Sequence, residues 1–491
     1  MRAAAARREG GLSMSGPRQQ APVLATAEQV ARAVSGRLVS GRPDAACSGV
    51  SSDSRTITPG QLFVALRGEH FDGASFCAQA VSRGASLVLL ERRSWNERLA
   101  GQLAGAAVVL VPDSLRALGD LAAWQRRRFD LPVVGVTGSN GKTTTKQMVT
   151  AVLGGAPAVL ANPGNLNNLI GLPLTLLRLA SGHRRVVLEM GMNVPGEIAR
   201  LAEIAAPQVG VVTNVHPVHL EGLGSIEAIA AAKAELVEAL PAGGTAVLNA
   251  DDPLVWKMRE RTRAGCLTFG KVTNADVRID QVSTAAGQSL VTLELAGREL
   301  QLRLQRPGAH NAYNAAAAAA VGLAQGLAAA EIATRLEAVE WPALRMELVA
   351  AASGQLLVDC YNANPRSVQA ALQTLRQQAA GKPTAALLGD MLELGSDSPL
   401  LHRQVGQAAA RQGVQWLCAF GPLMVEGAAA ARQAGMNQVQ HCQEVEEAAA
   451  WLSDRLRQGC WVLVKGSRGM RLERVVEHAC RQLGVAWPGK E

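Results

Sequence analysis

Aromatic side chains are scarce in this chain. Phe, Trp and Tyr together make up 3% of its 491 residues, and only two of them are tyrosines. A nucleic-acid face would interleave aromatics with clustered basic residues, so no nucleic-acid partner is expected. Lysine is equally rare, with eight against 41 arginines, and the formal net charge of +8 is carried by scattered arginine. Each lysine therefore draws attention, because lysine can do chemistry that arginine cannot. The eight cysteines (Cys47, Cys77, Cys266, Cys360, Cys418, Cys442, Cys460 and Cys480) form no Cys-x-x-Cys pair. That pattern argues against a zinc ribbon or disulfide framework and for a reducing, cytoplasmic compartment. Long apolar runs are missing too. The most apolar stretch, Ala315 to Leu323, is alanine-rich and far shorter than the roughly 20 residues a membrane span needs. Arg2, Arg7 and Arg8 have no apolar core behind them, so residues 1–21 read as a disordered tail, or as an over-long start with Met14 the first residue.

A chain of this length exceeds one ordinary core. Its pattern predicts an α/β protein of three domains, residues 22–113, 114–341 and 342–491. Short buried-strand signals at Val133 to Val136, Val186 to Glu189, Val209 to Thr213 and Thr245 to Leu248 alternate with helical segments such as Glu227 to Leu240. Strands separated by helices imply a parallel sheet with right-handed crossovers. From Ala275 to Leu304 strict alternation replaces the helices, and Gly297 supplies a turn, which predicts a small antiparallel annex. Strand-helix alternation then restarts near Leu356, predicting a Rossmann-like third domain.

The strongest local signal is VVGVTGSNGKTTTKQM, a buried strand, a glycine loop and a helix start. Gly138 and Gly141 let the backbone of Gly138, Ser139, Asn140, Gly141, Lys142, Thr143 and Thr144 turn its N–H groups onto phosphate oxygens. Lys142 would bridge the outer phosphates of ATP, and the Thr143 hydroxyl would face Mg²⁺. Val136 stands where a strict Walker loop has its first glycine. This variant loop resembles that of the Mur ligase family and its folylpolyglutamate synthase relatives, and the resemblance extends over nearly the whole chain beyond residue 22.

The resemblance implies the surrounding chemistry. Glu189, at a strand end, and His219 would hold magnesium. Lys233, on the helix AAAKAELVEAL, would be carbamylated by CO₂ to give an oxygen ligand for the second of two Mg²⁺ ions. Read without the resemblance, Lys233 is a solvated lysine and His219 a structural strand-end residue. Asn311 and Asn314, which otherwise read as helix-start residues, would contact adenine with His310 close by. Arg345 would reach the nucleotide, and Asp359 its ribose.

The ends of the chain select the substrates. SSDSRTITPGQLF resembles a UDP-binding domain, so Asp53, Ser54 and Arg55 would face the uridine diphosphate with Arg67 and Gly68 nearby. Asn165, Asn167 and Asn168, otherwise turn residues, would approach the acceptor. In the third domain Tyr361, Asn362, Asn364, Lys465, Ser467 and Arg468 would face the cleft. The YNANP form at Tyr361–Pro365, in place of Tyr-Ala-His-x-Pro, points to the family branch that adds D-alanyl-D-alanine to UDP-N-acetylmuramoyl-tripeptide. An amino-acid-adding relative or a polyglutamate ligase is the nearest alternative, and a nucleotide-driven assembly switch a more distant one. Two positions depart from the pattern. Val194 stands where many relatives have His, and Cys360 replaces the more usual Ser as a small packed residue open to oxidation.

Overall fold

The computed structural model describes residues 23–68, 71–217, 223–487 and 489. The expectations for the 1–21 tail and for His219 lie outside the described residues. The chain divides into two compact units, one ending at Leu121 and the other beginning at Ala122.

In the first unit Thr26 caps the helix Ala27–Ala33 through a reciprocal pair of bonds with Gln29. β1 (Ala25–Thr26) pairs with β3 (Ala46–Cys47). The remaining strands are β2 (Arg37–Ser40), β4 (Val50–Ser51), β5 (Leu62–Val64), β6 (Leu87–Glu91) and β7 (Ala107–Val111). They form one sheet in the order β2-β7-β6-β5-β4, parallel except for β2. Phe63, Val88, Leu90 and Val108 pack one side of it.

The second unit holds two sheets. The first contains β8 (Val133–Thr137), β9 (Val159–Ala161), β10 (Arg185–Glu189), β11 (Val209–Val212), β12 (Thr245–Asn249), β13 (Gly265–Gly270), β14 (Val277–Ala285), β15 (Gln288–Leu295) and β16 (Arg298–Leu304). Their order is β16-β15-β14-β13-β12-β11-β8-β10-β9. The antiparallel annex is thus an extension of the parallel sheet, joined through the β13–β14 pair, and a second turn at Ala286–Gly287 makes it two hairpins. β8 sits between β10 and β11, with Val136 opposite Glu189 and Thr137 opposite Val212. The register delivers Glu189 and Thr213-Asn214 to either side of the loop that follows β8, at the carboxyl edge where α/β sheets gather ligands.

The helix Lys142–Val152 packs Met148, Val149 and Val152 into the core. Beside it lies His310–Ala324, whose Ala315 to Ala320 are all fully buried. Alanine over that whole stretch lets sheet and neighbouring helix approach closely on every side, so the apolar run is a core helix. The second sheet contains β17 (Glu347–Ala351), β18 (Gly354–Val358), β19 (Thr384–Gly389), β20 (Trp416–Phe420), β21 (Gln438–Cys442) and β22 (Trp461–Lys465). Its order is β17-β18-β22-β19-β20-β21, parallel but for β17.

Candidate active site

A cleft of about 1230 Å³ opens at the carboxyl ends of both sheets of the second unit. Its floor is the loop after β8. Gly138 and Gly141 have φ of +145° and +82°. A Cβ on Gly138 would come within 1.9 Å of Thr213 Oγ1, and one on Gly141 within 2.5 Å of Asn314 Oδ1. Glycine is therefore required twice over, by conformation and by space. The neighbouring strand end locks the loop. Thr213 Oγ1 donates to the Asn140 carbonyl at 2.7 Å, Asn140 N–H donates to Asn214 Oδ1 at 2.9 Å, and His216 N–H donates to Ser139 Oγ at 2.8 Å.

Lys142 folds back over this loop and donates to the carbonyls of Gly138 (2.8 Å) and Ser139 (3.3 Å). Burial lowers its pKa, with Arg345 acting the same way and Glu189 opposing. Such an ammonium is held by neutral carbonyls, which a phosphate anion can displace. Thr143 and Thr144 are buried, and the Thr143 hydroxyl accepts from Arg345 Nη2 at 3.0 Å.

Asn311 and Asn314 line the cleft but are already engaged. Asn314 Oδ1 accepts from Thr145 Oγ1 at 3.1 Å, Asn314 Nδ2 donates to Asn311 Oδ1 at 3.3 Å, and Asn311 Nδ2 donates to the Pro307 carbonyl at 3.1 Å. Here they brace the phosphate loop from below. His310 lines the same wall, with its side chain exposed in the cleft.

Glu189 is buried at the edge of β10. Its Oε1 accepts from Asn167 Nδ2 at 2.7 Å, while Oε2 is buried without a hydrogen-bond partner among the described residues. Asn162 pins the strand end by accepting from Glu189 N–H (2.9 Å) and donating to the Glu189 carbonyl (3.0 Å). Of the asparagines read from the sequence, Asn167 reaches Glu189. Asn168 accepts from the N–H groups of Ile170 and Gly171, the turn that starts Gly171–Leu176, and Asn165 lines the cleft. Lys233 lies on the helix Ile226–Glu238, is buried, and lines the cleft, so it is no solvated lysine. Burial first and Lys142 second hold its pKa well below the usual lysine value.

The opposite wall comes from the second sheet. Arg345 stands between two residues with left-handed backbone, Leu344 (φ +60°) and Met346 (φ +47°). Its guanidinium lies 4.2 Å from the centre of the Tyr361 ring, and that of Arg468 lies 5.9 Å from the same ring. Arg468 also pairs with Glu473 at 2.9 Å. Asp359, expected at ribose, lines the cleft but pairs with buried Lys465 at 2.8 Å, and Lys465 donates as well to the Asn362 carbonyl at 2.9 Å. Asn364 caps the helix Pro365–Ala379 through a reciprocal pair with Ser367, while its Nδ2 donates to Asn140 Oδ1 at 2.6 Å. One side chain thus starts a helix and touches the phosphate loop. Ser467 Oγ accepts from Leu392 N–H at 2.9 Å. Cys360 is fully buried, and burial pushes its thiol up to about 12, so the expected openness to oxidation is not found.

Sequence reading missed Lys146, buried beneath Glu189's segment, and the Tyr313 hydroxyl, which donates to Asp251 Oδ2 at 2.8 Å. Rarity was the available signal. Both tyrosines of the chain line this cleft, and Lys146 is one of its eight lysines. In the first unit Asp53 accepts from Arg55 and forms an ion pair with it at 2.7 Å, which brings the carboxyl down to about 2. Ser54 is buried and donates to Gln79 Oε1 at 2.7 Å, so its hydroxyl faces inward. Arg67 pairs with Asp72 at 3.6 Å.

Comparison with known proteins agrees with this geometry. Three family models match in succession: the Mur ligase family catalytic domain at residues 47–126, the Mur ligase middle domain at 136–322, and the Mur ligase glutamate ligase domain at 344–468. The UDP-N-acetylmuramoyl-tripeptide–D-alanyl-D-alanine ligase of Bacillus subtilis is 35% identical over 457 residues, covering 92% of this chain and 97% of that protein. The crystal structure of MurF from Acinetobacter baumannii matches with a TM-score of 0.85 at 30% identity, covering 93% of this chain and 98% of that one. MurF ligase from Thermotoga maritima in complex with ADP matches with a TM-score of 0.79 at 29% identity, over 89% and 98%. With the phosphate loop, the buried strand-end glutamate and all three family models in place, the chain belongs to the Mur ligase family.

Proposed function

We propose that this ligase joins D-alanyl-D-alanine to UDP-N-acetylmuramoyl-tripeptide, with ATP converted to ADP and phosphate, in cytoplasmic peptidoglycan precursor synthesis. The observation that carries the reading is one cleft lined by the phosphate loop, Glu189 and Lys233 on one wall and by Arg345, Tyr361, Asn364 and Lys465 on the other. The names of the relatives supply the substrates. Asp53, Ser54 and Arg55 would take part in holding the uridine diphosphate end, either directly or through the turn they build.

The residues present fit a hard divalent cation. Glu189 Oε2 is a buried oxygen with no hydrogen-bond partner, and the Thr143 hydroxyl lines the same cleft. Among the described residues no three His, Cys, Asp or Glu side chains gather into a metal cluster. Mg²⁺ commonly rests on one or two carboxylates plus phosphates and water, so one buried glutamate suffices as an anchor. His219 would add to it. Two Mg²⁺ ions, when bound, would offset the charge of the transferring phosphoryl group. The depressed pKa of Lys233 favours the free amine, the form that combines with CO₂ to give a carbamate oxygen ligand.

The tripeptide carboxylate attacks the γ-phosphorus, the bond to the ADP oxygen breaks, and an acyl phosphate forms. The amine of D-alanyl-D-alanine then attacks the carbonyl, loses a proton, and phosphate leaves. Lys142 moves from the loop carbonyls to the phosphates, and Arg345 and Asn364 hold the second sheet over the loop, excluding water that would hydrolyse the acyl phosphate. Phosphate release measured against D-alanyl-D-alanine, diaminopimelate, lysine and glutamate tests the reading. Release with the dipeptide alone is expected, whereas turnover with a single amino acid, or without any amine, overturns it.

A further inference from the structure

Lys146 lies one helical turn after Lys142, yet it does not line the cleft and is 2% exposed. Its Nζ donates to the carbonyls of Asn162 (2.5 Å) and Gly164 (3.3 Å), which tie it to the segment carrying Asn165, Asn167 and Asn168. The same nitrogen is 3.9 Å from Glu189 Oε2, with both side chains almost completely buried. That distance lies within ion-pair range but is too long for a hydrogen bond. Glu189 Oε1 is taken by Asn167, and Oε2 has no hydrogen-bond partner among the described residues.

A carboxylate this buried needs a countercharge. Lys146 supplies one from a distance that leaves Oε2 uncoordinated, while two carbonyls anchor the ammonium and stop it from closing on the oxygen. Arginine could not do this, since its planar fork would bridge both carboxylate oxygens. We propose that Lys146 is a positioning residue, the resident countercharge of Glu189, which keeps Oε2 open for a divalent cation and sets how tightly that cation is held. The proposal rests on the reading of Glu189 as a cation ligand.

The test is Mg²⁺ titration of the full chain without nucleotide, followed by thermal unfolding, with Mn²⁺ binding read by paramagnetic resonance. Lys146→Met removes the charge, so the metal-free protein loses its compensation and the ion restores it. Its Tm without metal falls, its Tm rise on saturation exceeds that of the unaltered chain, and its Mg²⁺ half-saturation tightens on the order of tenfold. Lys146→Gln, which can still donate to the two carbonyls, follows the same direction with a smaller loss of Tm. Lys146→Arg, by bridging the oxygens, weakens Mg²⁺ binding. A purely structural lysine predicts lower Tm in all three variants with no opposed shifts in metal affinity. Unchanged or weaker Mg²⁺ binding in both neutral variants overturns the proposal, as does failure of both to fold at any Mg²⁺ concentration. Glu189→Gln separates the two readings. If it leaves Mg²⁺ and Mn²⁺ binding unaltered, the cation assignment of Glu189 is wrong. If it weakens binding while the neutral Lys146 variants do not tighten it, only the role of Lys146 is wrong.

Discussion

Gly141→Ala tests whether the phosphate loop is held open by glycine for two separable reasons. The first is conformational: φ is +82°, and alanine in the left-handed region costs roughly 1–2 kcal/mol. The second is spatial: the new Cβ would lie 2.5 Å from Asn314 Oδ1. Relieving that contact pulls Asn314 away from Thr145 and Asn311, two buried hydrogen bonds of 3.1 and 3.3 Å, each worth about 1 kcal/mol net. The sum is about 3–4 kcal/mol. If the loop yields and must be restored on binding, nucleotide affinity falls on the order of 10²-fold or more. Calorimetric titration with a non-hydrolysable ATP analogue at fixed Mg²⁺ measures it. Gly155→Ala is the control, since φ there is +69° but nothing lies within 4 Å of the added Cβ, and it is remote from the loop. Adding Asn314→Ala to Gly141→Ala should cost less than the sum of the two single losses, because both changes give up the same two hydrogen bonds while the backbone cost is incurred once. An affinity within about threefold of the unaltered chain for Gly141→Ala, or purely additive losses in the double variant, would refute the reasoning.

Lys142→Met should lower substrate-dependent ADP release by at least about 10³-fold, with circular dichroism unchanged, because on the proposed reading the residue offsets transition-state charge and its hydrogen bonds among the described residues are to loop carbonyls. Lys465→Met leaves the partly buried Asp359 without its 2.8 Å partner and should destabilise by about 1–3 kcal/mol, and Lys465→Met with Asp359→Asn should destabilise less, as seen by thermal unfolding. Lys233 has its pKa lowered by burial, so the folded chain binds fewer protons than the unfolded one below the ordinary lysine value, and its stability falls as pH falls from there. Lys233→Met removes that penalty. In CO₂-free buffer its Tm should exceed that of the unaltered chain at neutral pH, and the gap should close as pH rises through the ordinary lysine range.

The parts of this site that lie close together in the chain were legible. The glycine loop, its strand and its helix are contiguous, and the strand-end position of Glu189 follows from a buried run that stops at a charge. The Gln438–Cys442 strand escaped because its alternation is polar and it lies at the sheet edge, where burial leaves little mark. What could not be read was pairing across distance. Asn140 meets Asn364 across 224 positions, Thr143 meets Arg345 across 202, and Asp359 meets Lys465 across 106. Each pair joins two residues that, read singly, point only to ligands. The Ser54 pairing is hidden in the same way, since its hydroxyl donates to Gln79. Asp359 was read as a free ligand for ribose because its ammonium partner arrives only with the last strand.

The distribution of cations ties these observations together. Arginine is the default base here, so lysine persists where its shape or its proton matters. At Lys465 three acceptors converge on one point, the Asp359 carboxylate at 2.8 Å and the carbonyls of Asn362 at 2.9 Å and Asp359 at 3.4 Å, which suits a compact ammonium and not a planar fork. At Lys146 the charge stands 3.9 Å off from a carboxylate oxygen, and at Lys233 burial holds the pKa well below the usual lysine value. Arg345 shows the converse: its flat guanidinium covers the Tyr361 ring while one nitrogen reaches Thr143, a double task that a point charge cannot perform. The backbone on either side of Arg345 adopts left-handed conformations at two non-glycine residues, Leu344 and Met346, a cost that clusters where side-chain geometry has to be fixed in advance. A chain with few lysines has placed five of its eight at one cleft: Lys271 is exposed there, while Lys142, Lys146, Lys233 and Lys465 build its walls and foundations with a compact ammonium where a planar fork would close or overfill the space.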